Sequence, residues 1–433
     1  MTGSTRFTPD AAAALGGPDW LVDRRRRAAT QLTDLTWPSA SEEIWRYSRI
    51  GDFDLERYRP LTAEETGAAG EERAPGGGVV AAEAGDRSGL LVVRDGRVVH
   101  RELDEGLASK GVVLCDLATC EGEDVDQWLG SCSDASPDAF TRLHDAFLAG
   151  GAFVRVPPGV VVEKPIVVLH WSDGDGLASF PHTLVVAEEH SEVTVLDRFG
   201  SPDVAHLVDG VVELIVSDAA HVKYLSVQEH GPRTWSVVLQ RAHVGRDASL
   251  RSSAVALGGE YARLRSESRL DGEGSESDLL AVYFGDQDQM LDFRTLQDHV
   301  APRTRSDLLF KGAVEDRARS VYSGLIRLRH DAQKANAYQT NRNLVLSEGA
   351  GAESIPNLEI EANDVRCSHA STVGPIDDDQ RYYLESRGIR PEDAERLIVL
   401  GFFEDVFARL PIPSLAGALR RSVHEKVGHL HAD

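Results

Sequence analysis

Six corner segments recur along the centre of the chain, and their spacing restricts the fold more than any other feature. EEHSEVTV, SDAAHVKYL, GRDASLRSS, GEGSESDLL, APRTRSDLL and RHDAQKANA each set a small residue among polar neighbours beside an apolar run. With Ser191, Ala219, Ala248, Ser275, Thr304 and Ala332 taken as the phase, the successive separations are 28, 29, 27, 29 and 28 residues. Such a period predicts a solenoid, in which each coil buries its apolar face only by stacking on the previous one. A further corner, EDRARSVYSG, puts Ala318 midway between Thr304 and Ala332 and predicts two sheet faces per coil. Short Val/Leu strands with small corners at this period are satisfied by a β-helix. An antiparallel sandwich would show hairpin turns instead of corners recurring in phase.

The flanks read differently. PDWLVDRRRRAATQLTDLT (18–36) opens with proline and acid and spaces Trp20, Leu21, Ala28, Leu32 and Leu35 as a helix, with the DRRRR run as its solvated face. Ser41 with Glu42 and Glu43 starts a short helix through Trp45 and Tyr47, an aromatic pair that anchors it on the next domain. Leu61 to Gly78 is polar and glycine-rich and reads as a linker. GLLVVRDGRVVH (89–100) is a hairpin around Asp95-Gly96, and DAFTRLHDAFLAGG (138–151) an amphipathic helix. Past Gly374, Asp377, Asp378 and Asp379 begin a helix that stops at Gly388. Pro391 begins a second that runs to Pro411, and Ser414 caps a third. The second carries apolar residues over more than one stripe (Leu397, Ile398, Leu400, Phe402, Phe403), enough to pack on its own domain and to dock another protein. The expected organisation is an N-terminal helical region with linker and small strands (1–150), a β-helix core (151–374) and a C-terminal helical domain (375–433).

A net charge of −24 excludes nucleic acid and anionic membrane as main partners, since both need a basic stripe. No apolar run is long enough to span a bilayer and the first thirty residues lack signal-peptide order, so the expected location is cytoplasmic. Four cysteines are too sparse for a disulfide framework, in keeping with a reducing compartment. Cys115, Cys120 and Cys132 match no zinc or ferredoxin spacing and read as structural.

The chemistry concentrates in NLEIEANDVRCSHASTVGPIDDDQRYYLESRGI (357–389). Leu358, Ile360 and Ala362 alternate with glutamates up to a turn at Asn363-Asp364, after which Val365, Cys367 and His369 share a face. A cysteine and an imidazole two residues apart on a strand, about 7 Å between Cα atoms, make half a metal site. Iron or zinc takes three or four protein ligands, so another segment or chain must supply the rest; otherwise both residues simply pack in the core. There is no G-x-x-x-x-G-K-[ST] loop, G-x-S-x-G elbow or H-E-x-x-H pair, so the chain is not expected to be an enzyme.

The wording CSHASTVGPIDDDQRYYLESRGI, after NRNLVLSEGAGAESIPNLEIEANDV, closely resembles the SufB/SufD family of iron–sulfur cluster assembly proteins. That family carries LEI-x-A-x-DV-x-CSH-x-x-TVG ahead of an SRGI/L helix. VGPID, the short chain and EEIWRYSRIGDFDLERYRP (42–60) are similar to its SufD branch, and Ala370 stands where SufB-like members usually have Glu. The likeness spans most of 140–425 and only patches before. It implies a mainly β protein, a right-handed parallel β-helix core flanked by N-terminal and C-terminal α-helical domains. It further implies a SufB-like paralogue paired through the β-helices and a SufC-like ABC ATPase docked on residues 375–425. His369 and Cys367 match the motif residues near the SufB interface, where iron is acquired or a nascent iron–sulfur cluster is built in transit. The rival readings are a self-sufficient SufB-type homodimeric scaffold and a β-helical carbohydrate-active enzyme. The latter needs paired carboxylates on neighbouring coils, and no spacing singles out such a pair.

Overall fold

The computed structural model describes residues 5–62, 86–120, 122, 125–132 and 138–427. The expected linker from residue 63 onward and the tail bearing His429 and His431 lie outside the described residues.

Two sheets face each other across a common interior. In one, Gly89–Arg94, Ile166–Trp171, Glu192–Gly200, His221–Glu229, Ser249–Ala256, Glu276–Gly285, Arg305–Val314, Asn336–Val345 and Arg366–Gly374 follow in order, each bonded in parallel to the next. In the other, Ala152–Val156, His182–Ala187, His206–Val216, Thr234–Val244, Tyr261–Leu270, Met290–His299, Arg319–Leu328 and Gly351–Ile360 do the same. The chain alternates between them, one strand each per coil, so the protein is mainly β and built as a parallel β-helix with helices at both ends. At the amino-terminal end both sheets finish on antiparallel strands, Arg97–Leu103 and Val113–Asp116.

The corners correct the phase read from sequence. Strands enter the first sheet in register at Glu192, His221, Ser249, Glu276, Arg305 and Asn336. The residue before each, Ser191, Ala220, Ala248, Ser275, Thr304 and Ala335, is fully buried. The one before that has positive φ: His190, Ala219, Asp247, Gly274, Arg303 and Lys334. A left-handed residue turns the chain and a small one then fills the tight inside of the bend. Ala219 is therefore the turning residue and Ala220 the buried one, while the longer sixth corner moves the phase from Ala332 to Ala335. Ala318 fills the half-period corner as expected, fully buried between the two sheets.

The early interior is aliphatic, from Val193, Val195, Val222 and Leu250 with their facing residues. Toward the carboxyl end aromatic rings take over. Tyr283 lies over Phe293 (4.4 Å) and donates its hydroxyl to Asn343 Oδ1 at 2.6 Å. A Cβ on Gly312, one coil further along the same row, would strike that ring. Gly312→Ala is accordingly expected to lower stability by about 1–3 kcal/mol, read from the urea midpoint.

Several histidines are sealed in this interior. His144 Nδ1 donates to the Asp209 carbonyl (2.8 Å) while its Nε2 meets His182 Nδ1 (3.0 Å). His206 bonds the Gly174 carbonyl and Ser179, His299 bonds Thr304 and Ser306, and neither nitrogen of His230 has a partner. Burial, with the neighbouring histidines adding to it for His144 and His230, lowers His144 and His230 to about 3; burial lowers His206 and His299 to about 4.

The amino-terminal helix, Asp19–Leu32, departs from expectation on its basic run. Arg24 and Arg25 are buried, not solvated: Arg24 pairs with Asp145 at 3.0 Å and Arg25 donates to the Leu148 carbonyl at 2.6 Å. Only Arg26 and Arg27 face water, because the apolar stripe of Leu21, Ala28 and Ala29 turns the other two onto helix Ala139–Phe147. Trp45 does anchor its segment, stacked on Phe140 (5.4 Å) under the Arg263 guanidinium (3.8 Å), but Tyr47 is exposed. Cys115 and Cys120 are structural, as read, through a pairing that the sequence did not suggest. The short loop between them brings their Cα atoms to 5.7 Å and they form a disulfide, while Cys132 is a free, buried thiol.

At the carboxyl end Asp377 caps helix Asp378–Ser386, and Gly388 (φ 84°) follows it. Helix Pro391–Phe407 lays Val399, Phe403, Val406 and Phe407 on the outer face of the first sheet, in one cluster with Leu280, Val282 and Phe284. It ends at Phe407, short of Pro411. The last helix, Pro413–Val427, starts on its proline and not after a Ser414 cap, and Lys426 ties it to Asp286 (3.1 Å).

Candidate functional site

The β-helix ends abruptly at its carboxyl side. Among the described residues, strand Arg366–Gly374 pairs in its sheet only with Asn336–Val345, and Gly351–Ile360 only with Arg319–Leu328, so each sheet finishes on a bare edge. The register carries the interior rows into this last coil. Ala337, Gln339, Asn341 and Asn343 align with Cys367, His369, Ser371 and Val373, while Ile326 and Leu328 align with Leu358 and Ile360. One coil back all six positions are buried. In the last coil Leu358, Ile360 and Val373 are 36%, 46% and 43% exposed, because among the described residues no further coil covers them. Interior side chains thus stand open to water, and such a surface is rare on a chain that works alone.

Cys367 and His369 lie in this face. Cys367 is half-buried beside Val365 on the small cluster of Ile326, Leu328, Ala335 and Ala337, and burial pushes its thiol up. His369 is exposed and has no hydrogen bond to any described residue. Beside them Ser371 donates to Ser354 (2.7 Å), which donates to Asn341 (2.6 Å), joining the two sheets at the mouth. The two residues share a face, as their parity requires, and neither is sealed in the core. Among the described residues no group of three or more His, Cys, Asp or Glu could hold a metal ion. One sulfur and one nitrogen donor suit iron or zinc chemistry but fall short of a ligand set.

Sequence reading saw Leu358 and Ile360 only as strand alternation. Their exposure depends on the stacking stopping, and the only signal of that is the switch after Gly374 from strand pattern to DDDQRYYLES. It also missed Gln339, a polar residue in a row that holds leucine in the two preceding coils, Leu279 and Leu308.

Comparison with known proteins places the chain. The family described as "SUF system FeS cluster assembly, SufBD core domain" matches residues 170–402, and "SufBD protein N-terminal region" matches residues 14–168. The chain belongs to the SufBD family. Its relatives include the iron-sulfur cluster assembly protein SufD of Bacillus subtilis, 32% identical over 95% of this chain and 94% of that one. A SufBD family protein of Mycobacterium tuberculosis is 35% identical over 67% of this chain and 73% of its own length. One from Staphylococcus saprophyticus is 26% identical over 91% and 87%. The SufBD core match takes in the open coil and most of the long helix, and the amino-terminal match takes in Trp45 and both closing strands. The chain is thus a SUF-system component of iron–sulfur cluster assembly. No helix among its described residues is long and apolar enough to cross a membrane.

Proposed function

We propose that this SufBD-family chain is a SufD-type assembly subunit without catalysis of its own, working in the cytoplasm. Its open coil pairs with a SufB-like paralogue, and its carboxy-terminal helices, residues 375–425, dock a SufC-like ABC ATPase. The observation that carries the reading is the uncovered last coil, with Cys367 and His369 among exposed interior residues. Iron or the nascent cluster is cargo here. Cys367 offers a sulfur donor and His369 a nitrogen donor, and the paralogue's coil completes the set. Removal from water would strengthen both interactions, and coordination would draw the proton off the Cys367 thiol that burial otherwise retains.

For the ATPase, the helical unit turns one face to the sheet and leaves Tyr382 (72%), Tyr383 (58%) and Leu397 (49%) exposed on the other. Large aromatic side chains at this exposure are typical interface anchors. With all three partners co-expressed, the tagged wild-type chain is expected to co-purify with the ATPase. Tyr382→Asp with Tyr383→Asp should lose the ATPase and keep the paralogue. A wild-type chain that never retains an ATPase would refute the docking. Anaerobic reconstitution separates the homodimeric scaffold: a stable cluster on the lone protein, bleached by His369→Ala, would favour that rival.

A further inference from the structure

We propose that Gln339 is a positioning residue for His369: its amide oxygen takes the ring N–H and so leaves the other ring nitrogen free for a metal ion at the partner boundary. The inference rests on the reading of His369 given above. Leu279, Leu308, Gln339 and His369 occupy one interior row on successive coils. The first two are buried leucines, so the row accepts a purely apolar residue, yet the coil next to His369 carries an amide that is 1% exposed. Gln339 Nε2 is placed toward the Gly324 carbonyl of the facing strand, at 3.5 Å. The remaining atom, Oε1, is buried and has no hydrogen-bond partner among the described residues. Gly324 makes room for this arrangement, since a Cβ there would stand 2.6 Å from Gln339 Nε2.

A buried amide oxygen without a donor is unfavourable, and a neighbouring side chain able to donate removes the penalty. His369 is its ladder partner on the next strand, about 4.8 Å away between strands; its exposed ring is not bonded to the amide in the structure, and an inward turn of the His369 side chain would bring its N–H to that oxygen. A neutral imidazole carries one N–H and one lone pair. Once a carbonyl-type oxygen holds the N–H, the tautomer and ring orientation are set and the lone pair faces outward. Metal-binding histidines are usually held in this way.

The test uses the full-length metal-free chain, labelled with nitrogen-15 in its histidine rings, and needs neither partner nor iron. One ring N–H proton assigned to His369 is expected to be shielded from exchange with water. It should vanish in His369→Ala and Gln339→Leu and persist in Gln339→Glu, which retains an acceptor. Leucine already fits this row, so Gln339→Leu should fold, as its circular dichroism would report. Absence of the protected proton in the wild type, or its persistence in Gln339→Leu, overturns the proposal. In the co-purified complex, Gln339→Leu should weaken ferrous-ion binding by about 10–100-fold. Unchanged binding there alongside loss of the protected proton would keep the pairing but overturn its role toward the metal. Normal iron loading by His369→Ala would instead defeat the ligand reading itself.

Discussion

A chain carrying Ile360→Lys and Val373→Glu is expected to fold normally and to lose its partner. Both side chains belong by register to the interior of the β-helix, yet they are 46% and 43% exposed, so in the isolated chain the charges reach water at little cost. In the complex proposed above, the same positions would lie at the centre of the contact. Full burial of an aliphatic side chain is worth about 1.5–3 kcal/mol, and an unpaired charge in a desolvated interface adds to the loss. Together the changes should weaken pairing by at least about 1,000-fold, roughly 4 kcal/mol. Sedimentation of the variant mixed with the paralogue measures this, with circular dichroism as the check on folding. Undiminished association would mean that the partner binds elsewhere.

Acid should unfold the protein well before its carboxylates are exhausted. Four of the sealed histidines, His144, His206, His230 and His299, have folded values lowered to about 3 or 4. In the unfolded chain they take protons near pH 6.5. Their contribution is intact above that pH, declines as pH falls, and is fully lost at the folded values. Asp209 and Asp95 act in the opposite sense. Burial raises Asp209 well above its usual range and, with Asp173 beside it, brings Asp95 to about 6, so the folded state gains relative stability from these two as pH drops. Burial also lowers His243 and raises Asp116, so the histidines still outnumber the carboxyls, and unfolding takes up protons and stability declines as pH falls below about 6.5. Tryptophan fluorescence against pH should show a cooperative transition between about pH 4 and 5, and His230→Leu should move it to lower pH. A native spectrum at pH 3.5 would refute this account.

The repeat made the architecture legible because corners need small residues, and small residues stand out among valines. It could not fix the phase at every corner. SDAAH offers two alanines, and only the backbone tells which one turns and which one fills. Arg24 and Arg25 were misread for a related reason. A run of four arginines looks solvated, but helix geometry sends two of them toward Asp145 and the Leu148 carbonyl, partners more than a hundred residues away. The shared face of Cys367 and His369 followed from strand parity alone. Their exposure did not, since the end of the stack is marked only by the change of pattern after Gly374. Gln339 became meaningful only once its row had been counted through the register.

The two ends of the stack are unlike. At the start, each sheet ends among the described residues on an antiparallel strand, and Arg97–Leu103 exposes the polar His100, Arg101 and Glu102 along its rim. At the finish, both edges are bare. Head-to-tail stacking of identical or related chains would otherwise grow without limit, as any non-closing contact does. If contact is made only through the apolar end, growth stops at two, and a protein made of stackable coils is kept from becoming a fibre.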